Sequence, residues 1–120
     1  MRPLLAFAST TGPGYTALTV SGEVDMSSAH LLDRELRAAQ VGPGVVVLDL
    51  TAVRFLSGAG VDVIVTAAQR AAEAGTRFTV VAPADEPAHR TITLAGVLTP
   101  VDLAETVLVA LSDADREPLA

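Results

Sequence analysis

The sequence predicts a single α/β domain, with a central mixed sheet of four to five strands and about four helices in the order β-β-α-β-α-β-α-(β)-α. Half of the 120 residues are apolar but only 3% are aromatic, so the core must come from Val, Leu, Ile and Ala. Short aliphatic runs alternate with Ala-rich segments whose apolar residues recur at helical spacing. Glycine and proline breaks separate these segments, with no internal repeat and no linker. A chain of this length builds one core and not two. The domain is expected over residues 1–112, with a flexible acidic tail over 113–120.

Leu4 to Ser9 reads as the first strand, and Gly12-Pro13-Gly14 as the turn into a second, Tyr15 to Ser21. So short a turn pairs the two antiparallel. A helix then opens at Ser27 or Ser28, either of which can cap it, with Ala29, Leu32, Leu36 and Ala39 inward. Asp33 and Arg37 stand four apart on its wet side, and Gly42 is expected at its C′ position. Val45 to Leu50 is apolar on both faces, which marks a central covered strand. A loop follows, then a helix from about Ser57 to Ala74 that Gly75 closes, burying Val61, Ile64, Val65, Ala68 and Ala72. Phe78 to Ala82 is the next strand. Pro83-Ala84-Asp85 opens a third helix with Ala88, Ile92 and Ala95 inward, and Gly96 ends it. Val101 is expected in a short edge strand, before a last helix from about Leu103 to Leu111.

The charge balance narrows the partners. A formal charge of −6 and a pI near 4.6 repel phosphate backbones, so neither nucleic acid nor an anionic membrane is the expected target. A protein surface with a basic patch fits better. Cysteine is absent, which removes disulfides, thiolate metal sites and cysteine nucleophiles. All eight basic residues are arginine, so mechanisms that need lysine are excluded. No apolar run approaches the roughly 20 residues of a membrane span, and the first residues turn polar too soon for a signal peptide. A cytoplasmic protein without membrane insertion is expected.

The informative stretch runs Asp49-Leu50-Thr51-Ala52-Val53-Arg54-Phe55-Leu56-Ser57-Gly58-Ala59-Gly60-Val61. It resembles, without a gap, the signature D-L-S-x-V-x-F-[ML]-D-S-[SA]-G-L of the STAS family, named for sulphate transporters and anti-sigma factor antagonists. Gly22-Glu23-Val24-Asp25 resembles that family's G-E-[LIV]-D, and the order of elements matches from about Leu4 to Leu111. Two motifs together with matching topology make a specific signal.

The resemblance implies a STAS fold and an anti-sigma factor antagonist with no catalysis, cofactor or metal of its own. Its partner would be an anti-sigma factor, a serine kinase of the histidine-kinase-like ATPase fold, and binding it would release a sigma factor for transcription. The implied partner face comprises Glu23, Asp25, Ser28, Ser57, Gly58, Ala59, Gly60 and Asp62. A polar turn feeding a helix exposes unpaired N–H groups beside the positive end of the dipole, where Ser57 can cap and Asp62 can complement it. Gly58 and Gly60 permit close approach or unusual angles. In such antagonists the serine after the motif aspartate is phosphorylated by the kinase, which breaks the interface by repulsion. Here Ser57 stands in the aspartate column and Gly58 in the acceptor column. Either Ser57 is the acceptor, shifted by one residue, or the switch is lost. Loss is preferred, because a one-residue shift re-aims a side chain at a helix start.

Other readings have less support. Asp49 ends a central strand, as a receiver's phosphoacceptor does, but the chain lacks the acidic pair and the lysine a receiver needs. Asp49 is expected instead to accept backbone hydrogen bonds from the turn after it. Gly58-x-Gly60 is neither a P-loop nor a dinucleotide fingerprint. His30 and His89 are expected on solvated helix faces, each without a second histidine at ligand spacing. Glu23 and Asp25 lack the apolar pocket or nucleophile that acid/base work requires; Asp25 can instead cap the first helix. The alternatives in play are an accessory STAS subunit of an ABC transporter for phospholipid and, more remotely, an enzymatic or small-ligand α/β domain. The chain is expected to be a monomer or a weak homodimer joined through an edge strand.

Overall fold

The computed structural model describes residues 4–42, 44–95 and 101–114. Strands β1 (Leu5–Gly12), β2 (Tyr15–Val24), β3 (Val45–Leu56), β4 (Arg77–Val81) and β5 (Leu103–Ala104) form one sheet in the order β1-β2-β3-β4-β5. The tight turn at residues 13–14 pairs β1 with β2 antiparallel, while β2, β3, β4 and β5 run parallel. Helices are α1 (Ala29–Ala39), α2 (Gly58–Ala74), α3 (Pro87–Leu94) and α4 (Val107–Ala114). The mixed sheet and the element order are those the sequence predicts.

One face of the sheet carries α1, α2 and α3 over the main core, where Leu18, Val20, Leu48, Leu50 and Val80 meet Leu32, Leu36, Ile64 and Ala88. The other face carries α4, whose Ala110 meets Ala17, Val47, Val81 and Ala104. β3 is therefore covered on both sides over Val46-Val47-Leu48, which is why that run has no polar alternation. A polar clamp ties α1 to α2: Gln40 Nε2 donates to the Ala67 carbonyl (2.9 Å), and Arg70 Nε and Nη2 donate to Gln40 Oε1 (3.0 and 2.9 Å). Burial, aided by the charge of Arg37 and opposed by Asp33, lowers the Arg70 pKa from its ordinary value. Arg37 Nε meets Asp33 Oδ2 at 2.9 Å, as their four-residue spacing predicts.

Several boundaries differ from expectation. β1 runs on to Gly12, because an antiparallel pair keeps bonding up to its turn, and β2 runs on to Val24 because Glu23 and Val24 pair with the end of β3. β3 continues through the expected loop to Leu56. Gly42 is not the C′ residue of α1: Gln40 ends that helix at φ −87°, and the positive φ falls on Gly44, where a side chain would strike the Gly14 carbonyl. The buried stripe of α2 is Gly60, Val61, Ile64, Ala67 and Ala71, with Ala72 exposed and Val65 and Ala68 half-buried. α3 starts only at Pro87, since Pro83 to Glu86 closes a turn of its own, with Glu86 N–H donating to the Pro83 carbonyl (2.9 Å). Ala95 is consequently exposed past its end. The edge strand is Leu103–Ala104 and not Val101, and α4 runs four residues later than expected at its start and three at its end. Thr79, buried on β4, donates to Asp102 Oδ2 (2.9 Å) and sets that register. Gly96 and residues 115–120 of the expected tail lie outside the described residues.

Candidate functional site

Parallel pairing brings the two sequence motifs together. Glu23 stands opposite Phe55 and Val24 opposite Leu56, so β2 and β3 end side by side, one feeding α1 and the other α2. The Ser57 N–H donates to the Val24 carbonyl (2.8 Å) and locks the two ends. A face outside the carboxyl ends of parallel strands is the usual binding edge of an α/β sheet.

At the α2 start, Ser57 is extended (φ −77°, ψ 167°) and its Oγ accepts from the Gly60 N–H at 3.2 Å. The expected cap is present, and a cap of this type contributes about 1 kcal/mol. Its hydroxyl is thus engaged in a half-buried residue. Gly58, the first helical residue, is exposed, and a β-carbon there would meet nothing within 4 Å. Gly60 differs: a β-carbon would come 2.6 Å from Leu56 Cδ1 and 3.0 Å from Val24 Cγ1, so it is the contact by which α2 sits down on the strand ends. Neither glycine has a positive φ, so close packing and not unusual angles explains Gly60. Asp62 is exposed but lies just past the first turn, with no acidic residue inside that turn, so the expected dipole pairing is weak. Ala59 is half-buried against the core.

At the α1 start, Ser28 occupies the cap position with helical backbone angles, and its side chain makes no cap bond. Asp25 organises the turn that leads into α1. Its Oδ1 accepts from the N–H groups of Ser27 (2.9 Å) and Ser28 (3.0 Å) and from both hydroxyls (2.8 and 3.0 Å). The Asp25 N–H returns a bond to Ser28 Oγ (3.0 Å). These bonds, first the Ser27 hydroxyl and then that of Ser28, hold the Asp25 carboxyl below its ordinary value of 3.8. Asp25 therefore stabilises the fold above its unfolded pKa, and this contribution is lost as pH falls through the depressed folded value. Asp25→Asn is expected to flatten the acid limb of the stability–pH curve, as urea unfolding at stepped pH would read.

Glu23 pairs with Arg54 at 3.7 Å across the strand ends, too exposed to add much stability. Met26 (83% exposed) and Phe55 (50% exposed) add apolar surface at the same end. The sequence reading missed both. The sequence carries one sign of irregularity here, since the apolar residues Leu50, Val53 and Leu56 stand three apart, and all three are buried, which a flat strand cannot manage. β3 gains a residue on β2 at each of two register shifts, between Thr19 and Ser21 and between Gly22 and Glu23. The first bulge turns Val53 inward and the second returns Leu56 to the face of Leu50, which leaves Phe55 on the opposite, exposed side. Asp49 behaves as expected, its Oδ1 accepting from the Thr51 N–H (3.0 Å) and hydroxyl (2.6 Å). His30 is exposed as expected, but His89 is half-buried, and its Nδ1–H donates to the Ala82 carbonyl (2.8 Å), tying α3 to the end of β4. Among the described residues no group of three potential ligands could hold a metal ion, and no helix is long and apolar enough to cross a membrane.

The sequence profile of the STAS domain matches residues 6–110, nearly the whole chain. The chain belongs to the STAS domain family. This STAS domain is similar to an anti-sigma factor antagonist from Mycobacterium paratuberculosis, with 28% identity over 93% of this chain and 95% of that one and a TM-score of 0.84. RsbS from Moorella thermoacetica shares the fold at 18% identity, over 91% of this chain and 94% of that one, with a TM-score of 0.72. The anti-sigma factor antagonist SpoIIAA in its unphosphorylated form shares it at 14% identity, over 90% and 96% of the two chains, with a TM-score of 0.67.

Proposed function

We propose that this STAS domain is an anti-sigma factor antagonist with no chemistry of its own, binding an anti-sigma factor kinase through the shared ends of β2 and β3 and so releasing a sigma factor. The observation that carries the reading is the likeness, along almost the entire chain, to an antagonist of the same length class. The site's chemistry agrees with it. The face joins exposed Met26 and Phe55 to the carboxylates of Glu23, Asp25 and Asp62, a pattern suited to a partner with an apolar socket and a basic rim.

Binding is constitutive in this proposal. The hydroxyl of Ser57 is occupied as a cap, and the solvent-facing position at the helix start is Gly58, which has no hydroxyl to accept phosphate. Calorimetry with the anti-sigma factor kinase should give the same affinity before and after incubation with ATP, with no gain in mass by the antagonist. Asp62→Arg should weaken that affinity about tenfold at unchanged stability, because it reverses a rim charge. A phosphate on Ser57 would overturn the constitutive reading. Copurification with an ABC transporter ATPase, and none with a kinase, would overturn the antagonist reading itself.

A further inference from the structure

Among the described residues β1 is the outer strand of the sheet, and its outer edge lacks the usual protection against pairing. None of its eight residues is charged or proline, in a chain of net charge −6. The Glu23 N–H donates to the Leu4 carbonyl (2.8 Å), and Leu4 stands one step before the Leu5–Gly22 pair. That fixes the phase of the ladder: Ala6, Ala8 and Thr10 bond inward to β2, while Leu5, Phe7, Ser9 and Thr11 direct their N–H and C=O groups outward. Beside the second half of this edge lies a groove of about 340 Å³ between β1 and α1, lined by Ser9, Thr11, Leu18, Ala38 and Val41, with Glu35 its one charged lining residue. Val41 is 86% exposed on it.

We propose that a second copy of this chain occupies the edge, pairing β1 antiparallel with itself about a two-fold axis through Ala8 and joining the two sheets into one. The strand is self-complementary in that register. Leu5 of one copy faces Thr11 of the other, and Phe7 faces Ser9, so the same four outward residues bond on both sides and make about eight new hydrogen bonds. The apolar half of each strand, half-buried Leu5 and Phe7, comes over the half of the other that borders the groove. No like charges meet along the seam, because the strand carries none. A foreign strand would satisfy the ladder, but nothing would match its side chains to both halves. The seam lies on the β1 edge and Ser57 to Gly60 between β2 and β3, so this dimer stands independently of the proposed function.

Sedimentation velocity on the full chain should show the mass rising from one 12.3 kDa chain toward two between micromolar and millimolar concentration. Ala8→Cys adds the only thiol, at a non-hydrogen-bonded pair roughly 4.5 Å from its mate, and should close a disulfide under mild oxidation. Thr10→Cys sits roughly 13 Å from its mate in this register and should cross-link at least tenfold more slowly. Ser9→Pro removes an outward N–H without touching the β2 ladder and should weaken the dimer at least tenfold, with unchanged circular dichroism. Should that proline disturb the fold, Thr11→Lys at the exposed strand end decides in its place. A single-chain mass at every concentration would overturn the proposal. So would equal cross-linking at both sites, or a dimer that the edge variants leave intact.

Discussion

Gly22→Ala is expected to lower the unfolding free energy by about 3 kcal/mol, from a positive-φ penalty and a backbone clash acting together. Gly22 has φ 104°, and a β-carbon there would strike the Leu4 carbonyl and come within 3.3 Å of Leu5 Cα. The obstacle is backbone, so no side chain can swing aside to relieve it. The consequence reaches the site, because Gly22 lies at the second bulge between β2 and β3, one residue before Glu23. Total stability of such a domain is commonly 5–15 kcal/mol, so a loss of this size is a large fraction. Urea unfolding should show a lower midpoint at unchanged slope. Gly14→Ala provides the comparison: it has a positive φ but open space, and only the smaller conformational cost should appear. Equal losses at the two positions would show that the clash with Leu4 is relieved in solution.

Under the proposed function, Gly58→Ser should turn constitutive binding into switchable binding. The position is exposed at the first residue of α2, with nothing within 4 Å of a β-carbon, so a serine fits without rearrangement. The fold should be unaffected, since serine costs less than glycine in a helix. Its hydroxyl would stand in solvent beside Glu23, Asp25 and Asp62, where a kinase bound to this face can reach it. Incubation with the anti-sigma factor kinase and ATP should add one phosphate to the variant and none to the parent. The modified variant carries about −1.5 to −2 more charge on an acidic rim, and its affinity should fall roughly 100-fold or more. An unmodified variant that still binds the kinase would mean that the acceptor must be aimed by more than its position in the chain.

Much of this protein was legible in local chemistry. Ser57 caps α2 and Gly75 closes it in the left-handed region at φ 70°, as their residue types require. The Leu32 and Leu36 stripe is a matter of helical period, and the unbroken apolar run of β3 a matter of being covered on both faces. What escaped were features decided by a second strand or a carbonyl elsewhere. Ser28 makes no side-chain cap bond to α1, because its hydroxyl is drawn back to Asp25 in the turn that leaves β2. His89 was expected in water but lies against the Ala82 carbonyl, since α3 folds back over the end of β4.

The sequence by itself determined the fold class, the family and the pair of motifs that meet at one end of the sheet, because periodicity, caps and turn residues act within a few positions of one another. Only the tertiary structure decided which side chains that end displays. The bulges that carry β3 through its expected loop depend on register against β2, and each extra residue reverses the face of every side chain after it. Val53 is therefore turned inward between the two bulges and Leu56 returns to the face of Leu50, which leaves Phe55 exposed; Gly60 is pinned against Leu56 and Val24, and Gly58 stands open at the start of α2.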